Sequence, residues 1–124
     1  MEEPDVPPEL FDRISTRCLA LPETTRRSDK WAHAFEIRRK PFAWLFSMPN
    51  DDGRPVIGLV VDANPEERHA LLAGGHPYFA AMHNERRLGI VLDDDTDWGE
   101  VSELITESYR MLAPKKLSKL LDES

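Results

Sequence analysis

The stretch from Asp97 to Leu117 constrains the fold more than any other, because it carries a helix together with both of its ends. Asp97 suits an N-cap, and Glu100 lies three residues on, where a carboxylate can answer the cap's own N–H. Val101, Leu104, Ile105, Ser108 and Leu112 recur at helical spacing and share one face. Pro114 cannot continue the hydrogen-bond ladder, and Lys115 and Lys116 stand at the negative end of the helix dipole. A helix with one apolar face needs a second layer to bury it against. The rest of the chain must supply that layer.

Upstream, Pro7-Pro8 suits a first helical turn, where a missing N–H costs nothing. Leu10, Ile14, Cys18 and Leu21, widened by Phe11, make the apolar stripe of a helix that ends before Pro22. Cys18 lies inside that stripe and is expected to be a small core residue, not a reactive thiol. Pro22 to Lys30 reads as a polar loop. His33, Phe35 and Ile37 then alternate with Ala34, Glu36 and Arg38, which is the period of a strand. Arg38-Arg39-Lys40-Pro41 makes a basic turn into a second strand. There Phe42, Trp44, Phe46 and Met48 are expected on one face, and Ala43, Leu45 and Ser47 on the other. Apolar on both sides, this strand belongs in the middle of a sheet, with Trp44 in the core.

Pro49 to Pro55 is a cluster of turn formers, and Val56 to Val61 is a third strand. Asn64-Pro65-Glu66-Glu67 opens a short helix with a cap, a proline and an acid in the favoured positions. Leu71 and Leu72 anchor it, and Gly74-Gly75 end it. His76 to Arg87 shows no clear period. Leu88 to Leu92 is a fourth strand, and Leu117, Leu120 and Leu121 suggest a last short helical turn. The predicted order is α-β-β-β-α-β-α. It makes one α+β domain over residues 1–124, with helices on one face of an antiparallel sheet and residues 1–6 disordered.

A chain of 124 residues buries roughly two-thirds of its unfolded surface as one domain. No apolar run approaches the ~20 residues that span a bilayer, so no membrane association is expected. Met1-Glu2-Glu3-Pro4-Asp5 lacks the basic start of a secretory signal, and the single Cys18 forbids an internal disulfide. Both favour the cytoplasm. The net charge of −7 repels phosphate at long range, so any nucleic-acid binding needs a local basic patch.

The chemistry-bearing residues are sparse. His69, His76 and His83 fall seven apart, but Gly74, Gly75 and Pro77 interrupt any helix that would align them, and no metal is expected. Asp93, Asp95 and Asp97 imitate the start of a calcium loop, yet Trp98 and Leu104 stand where Gly and Glu are required. There is no nucleophile elbow, phosphate-binding lysine loop or dinucleotide fingerprint. Ser108 and Tyr109 are adjacent on a helix and point about 100° apart, so they make no catalytic pair. No catalytic residue and no cofactor are expected. The basic groups fall into Arg26, Arg27 and Lys30; Arg38, Arg39 and Lys40; Arg86 and Arg87; and Lys115, Lys116 and Lys119. If the hairpin turn and the segment before the fourth strand meet, they form an edge that can face phosphate. The competing reading is a solvated face compensated by Asp29, Glu36 and Glu85. Tyr78 and Phe79 would stack on bases if exposed.

Three blocks carry a family resemblance. They are Leu19-Ala20-Leu21-Pro22-Glu23-Thr24-Thr25, then His33-Ala34-Phe35-Glu36-Ile37-Arg38 with Lys40-Pro41-Phe42-Ala43, then Asp97-Trp98, Leu104-Ile105, Ser108-Tyr109-Arg110 and Ala113-Pro114-Lys115-Lys116-Leu117. In this order the chain resembles the MmcQ/YjbR family over about Leu19 to Leu117. The resemblance implies a CyaY-like α+β fold and a DNA-binding label that rests on fold analogy. Relatives tend to have Trp before the fourth strand where this chain has Arg87, and Gly where it has Arg38-Arg39-Lys40. The expectation is a non-enzymatic, monomeric DNA-binding or regulatory protein that touches phosphates through Arg38, Arg39, Lys40, Arg86 and Arg87. The alternative is a protein- or small-ligand-binding module using the exposed sheet face and the His76–His83 segment, with a concave apolar pocket.

Overall fold

Asp97 caps the long helix as its side chain accepts from the Glu100 amide, and the helix α3 runs Trp98–Leu112 before Pro114. The computed structural model describes residues 5–49, 52–81 and 84–122. The order is α1 (Pro8–Leu19), β1 (Thr24–Ser28), β2 (His33–Ile37), β3 (Lys40–Met48), β4 (Val56–Asp62), α2 (Pro65–Ala73), β5 (Tyr78–Ala80), β6 (Arg87–Leu92), α3 and α4 (Lys115–Asp122). All strands pair antiparallel in one sheet, ordered β1-β2-β3-β4-β6-β5. The expected succession of elements is present, and an extra strand is added at each edge of the sheet.

Local sequence carries little signal for either of these strands. β1 pairs only with β2, and Thr25, Arg26 and Arg27 stay exposed, so no hydrophobic alternation marks it within the expected loop. β5 has three residues and shows no period. Residues 1–4 lie outside the described residues, whereas Val6 packs against the core. The final turn is a full helix, α4, whose Leu117 is buried.

The core lies between the helices and one sheet face. Ile14 and Cys18 of α1 and Val101, Leu104, Ile105 and Tyr109 of α3 meet Phe35, Ile37, Leu45, Leu59, Val61, Leu88 and Ile90. Leu71 and Leu72 of α2 pack against the same cluster. Burial pushes the Cys18 thiol far up, so it stays an uncharged apolar filler. Asn64 caps α2 by accepting from the Glu66 amide, and Gly75 leaves the helix with φ +77°. No helix among the described residues is long and apolar enough to cross a membrane.

One expected face assignment is overturned. The β2–β3 register shifts between Phe35 and Glu36, leaving Phe42 as the extra residue of a β-bulge. Phe42 is therefore turned into the core, edge-to-face with Tyr109, and does not share a face with Trp44, Phe46 and Met48. The bulge frees the Phe42 carbonyl and the facing Asp62 amide from the regular ladder. Ser108 Oγ answers both, donating to the Phe42 carbonyl at 2.6 Å and accepting from the Asp62 amide at 2.9 Å. Next to it, the Tyr109 hydroxyl donates to the Pro22 carbonyl at 2.8 Å, and burial raises its pKa above the ordinary phenol value.

These contacts set two expected outcomes. Ser108→Ala leaves a buried amide and a buried carbonyl unpaired and should cost about 2–3 kcal/mol. Tyr109→Phe loses one half-buried bond and should cost about 1 kcal/mol. Urea unfolding reads both as a lower midpoint at unchanged slope.

Candidate functional site

The sheet has two unlike faces. Along each strand alternate residues point away from the helices, and the register aligns Ala34, Trp44, Val60, Gly89 and Phe79 in one row across the uncovered face. Phe46, Gly58 and Val91 form the next row. Val60 and Ala34 are buried yet stand apart from the core cluster, whereas Trp44, Phe46, Met48, Phe79 and Val91 are half-buried. The Phe46 ring lies over Gly58 and the Phe79 ring over Gly89. A Cβ at either glycine would collide with the ring, so each glycine is what lets the aromatic lie along the sheet. Trp44 therefore belongs to the uncovered face and not to the main core.

The antiparallel register brings the β2–β3 turn, the end of β4 and the start of β6 to one end of this sheet. Arg38, Arg39, Lys40, Arg86 and Arg87 thus share that end, although 46 or more residues separate the two groups in sequence. They are not equivalent. Arg87 Nη1 bonds the buried Asp62 carboxylate, and its guanidinium lies 4.3 Å from the Trp44 ring centroid. Burial pushes the Asp62 carboxyl up, while the charges of Arg87 and Arg86 work against that shift. Arg68 Nε donates to the Arg87 carbonyl and fixes the backbone there. Arg38 makes an exposed pair with Glu23 at 3.3 Å. Arg39, Lys40 and Arg86 are exposed and form no ion pair among the described residues.

The turn that carries two of these cations is strained. Arg38 and Arg39 hold φ at 51° and 69°, the left-handed pair that a two-residue hairpin turn requires and that Gly or Asn adopts most readily. Each non-glycine residue there costs roughly 1–2 kcal/mol. Strain of this kind persists where the side chain matters.

Charge is segregated along the chain. Residues 24–62 and 84–92, which hold β1 to β4 and β6, contain nine Lys or Arg against six Asp or Glu. The remaining residues contain seven against seventeen. Within that remainder the four helices are nearly balanced, with seven Lys or Arg against eight Asp or Glu, so the acid excess lies mainly in the N-terminal residues and the Asp93–Asp97 turn, and the strand-bearing segments are mildly basic. On the uncovered face Arg27 answers Glu36 at 3.0 Å, and Arg87 answers Asp62.

The other candidates disperse. Arg26 stacks on Phe11 towards the helical side. Arg110 pairs with Asp122 of α4 at 2.9 Å. Asp93 and Asp97 spend their oxygens on the amides of Asp95 and Glu100, as turn and cap residues. His69 lies on α2, His76 pairs with Asp93 at 3.5 Å, and His83 lies outside the described residues. His33 receives a 2.7 Å contact from Ser28 and the edge of Phe11 on the core side. Tyr78 points to the helical side, where burial and the Glu100 carboxylate raise its phenol far above the ordinary value. It is not a stacking partner for Phe79. A groove of about 1230 Å³ runs between α1 and α3, past Arg13, Arg17, Asp93, Asp94 and Trp98. Its walls mix both charges, and none of its lining residues belongs to the uncovered sheet face.

The YjbR family model matches residues 19–111. A solved protein from Pseudomonas syringae superposes with a TM-score of 0.68 at 17% identity, covering 87% of this chain and all of the other. A Deinococcus radiodurans protein with a DUF419 domain superposes with a TM-score of 0.68 at 19% identity, covering 90% of this chain and 87% of the other. At these identities the likeness is one of fold. No curated protein sequence matches the chain.

The strained turn gives a direct test. Arg39→Gly relieves the left-handed residue while adding some unfolded-state freedom, and should raise stability by up to about 1 kcal/mol. An unchanged or lower unfolding midpoint would remove strain as a property of this turn.

Proposed function

Since the chain belongs to the YjbR family and gathers three exposed cations, which form no ion pair among the described residues, at one end of a helix-free sheet face, we propose that it binds nucleic acid without catalysing a reaction on it. The observation that carries this reading is the segregation of charge. A phosphate chain approaching the sheet meets Arg39, Lys40 and Arg86, with Arg38 beside them, while most of the acid excess lies in the N-terminal residues and the Asp93–Asp97 turn. Phosphate contacts of this type position the ligand and carry no sequence information. Arg87 has a different part. Its charge is answered by Asp62, so it braces the floor of the face and leaves the neutralisation of phosphate to its neighbours.

The test is a fluorescence-anisotropy titration with short DNA across a salt series. Binding should weaken as salt rises, and Arg39→Ala, Lys40→Ala or Arg86→Ala should each reduce the slope of log K against log salt by about one unit. Arg87→Ala should instead lower stability by about 2 kcal/mol or more, because it leaves the buried Asp62 carboxylate without its partner. No binding at low salt, where attraction is least screened, would overturn the reading.

A further inference from the structure

From the aromatic surface beside these cations, and resting on the nucleic-acid reading above, we infer that the ligand is single-stranded, with unpaired bases stacked on Phe46, Phe79 and the Arg87–Trp44 pair. The charges alone do not distinguish one strand from two, because both present phosphates. The apolar surface between them does. A duplex offers its sugar–phosphate ridges to a flat sheet and hides its base faces, so three half-buried aromatic groups would be left against water or charge. An unpaired strand offers both components that this face can satisfy, phosphates for the cations and π-faces for the rings.

The geometry supports stacking in particular. Phe46 and Phe79 lie across Gly58 and Gly89, so one side of each ring rests on backbone and the side away from it is left for a ligand. Each ring leans over the neighbouring strand, towards the middle of the sheet, and strands lie about 4.8 Å apart. The two rings and Trp44 are thus collected over β3, β4 and β6 instead of being spread over the full sheet width. Trp44 is itself covered by the Arg87 guanidinium, a planar cation that can take a base on its outer side. The acids of this face, Glu36 and Asp62, are both buried and both paired with arginine, so neither presents a bare charge to an approaching strand. An apolar protein partner would not need the rim of Arg38, Arg39, Lys40 and Arg86. A strand of nucleic acid uses the rim and the floor together.

The test compares three probes of equal length under one low-salt condition: fluorescent oligothymidylate, an abasic oligonucleotide and a duplex. Phe46→Leu and Phe79→Leu keep an apolar side chain but remove the π-face. Their unfolding midpoints are measured alongside, and Arg39→Ala serves as the phosphate control. The inference expects oligothymidylate to bind at least ten-fold more tightly than the abasic strand or the duplex. It also expects each Phe→Leu change to weaken oligothymidylate binding about ten-fold, with the abasic strand unaffected. If all three probes bind alike and only Arg39→Ala weakens them, stacking is wrong while the phosphate-binding reading survives. If none binds, both are wrong. If sedimentation shows a dimer that Phe46→Leu dissociates, the face is a self-interface and the inference is overturned.

Discussion

The hydroxyl of Ser108 holds the fold at its most exposed point of failure. A β2–β3 bulge at Phe42 lies just where the β3–β4 ladder ends, and unpaired backbone groups buried in such a place are costly. A single side chain from α3 takes one bond from each strand and restores the count. Because it can do so only from one position, it also fixes the height and rotation of α3 over the sheet. Tyr109 then ties the same turn of helix to Pro22, and Arg110 ties it to α4. The run Ser108-Tyr109-Arg110 is therefore a structural lock in three directions. Adjacent helical residues point to different sides, which makes them poor partners for chemistry and good ones for joining three neighbours.

That lock sits at the end of the sheet where the cations gather. The bulge turns Phe42 inward, so the β2–β3 turn beyond it and the ends of β4 and β6 are brought up beside one another. Asp62 links the two features: its amide donates to Ser108 Oγ, and its carboxylate holds Arg87 over Trp44. Packing on the helical side and the layout of the uncovered face are thus joined through one residue. The acidic total of the chain gives the wrong impression of this face. Charge acts over about 10 Å at moderate salt, so what a ligand meets is the local arrangement and not the sum.

Much of this was legible from the residues in order. The α3 face, both of its ends, the Asn64 cap, the α1 stripe and the alternation of β2 follow from local periodicity and capping chemistry, which depend on neighbours a few positions away. β1 and β5 were not legible. An edge strand such as Thr24–Ser28 buries little and needs no hydrophobic alternation, and a three-residue strand has no period to detect. The side taken by Trp44 is not marked in the sequence, because an apolar residue in an apolar strand fits the pattern whichever face it takes. The only sequence signals for the uncovered aromatic face were Gly58 and Gly89 inside strands, which mark a close approach without naming the ring that makes it.

The sequence by itself determined the elements other than β1 and β5, the single α+β layer pairing and the identity of the basic residues, because helix faces, caps and turns are set by short-range geometry. Tertiary structure alone decided which of those cations share a place and which are already paired. Arg39 and Arg86 come to the same end of the sheet only through the register of three strands, and Arg87 becomes a brace only because Asp62 and Trp44 flank it. Register depends on a bulge and on a serine from a distant helix. Contacts of that range leave no periodic trace in the chain.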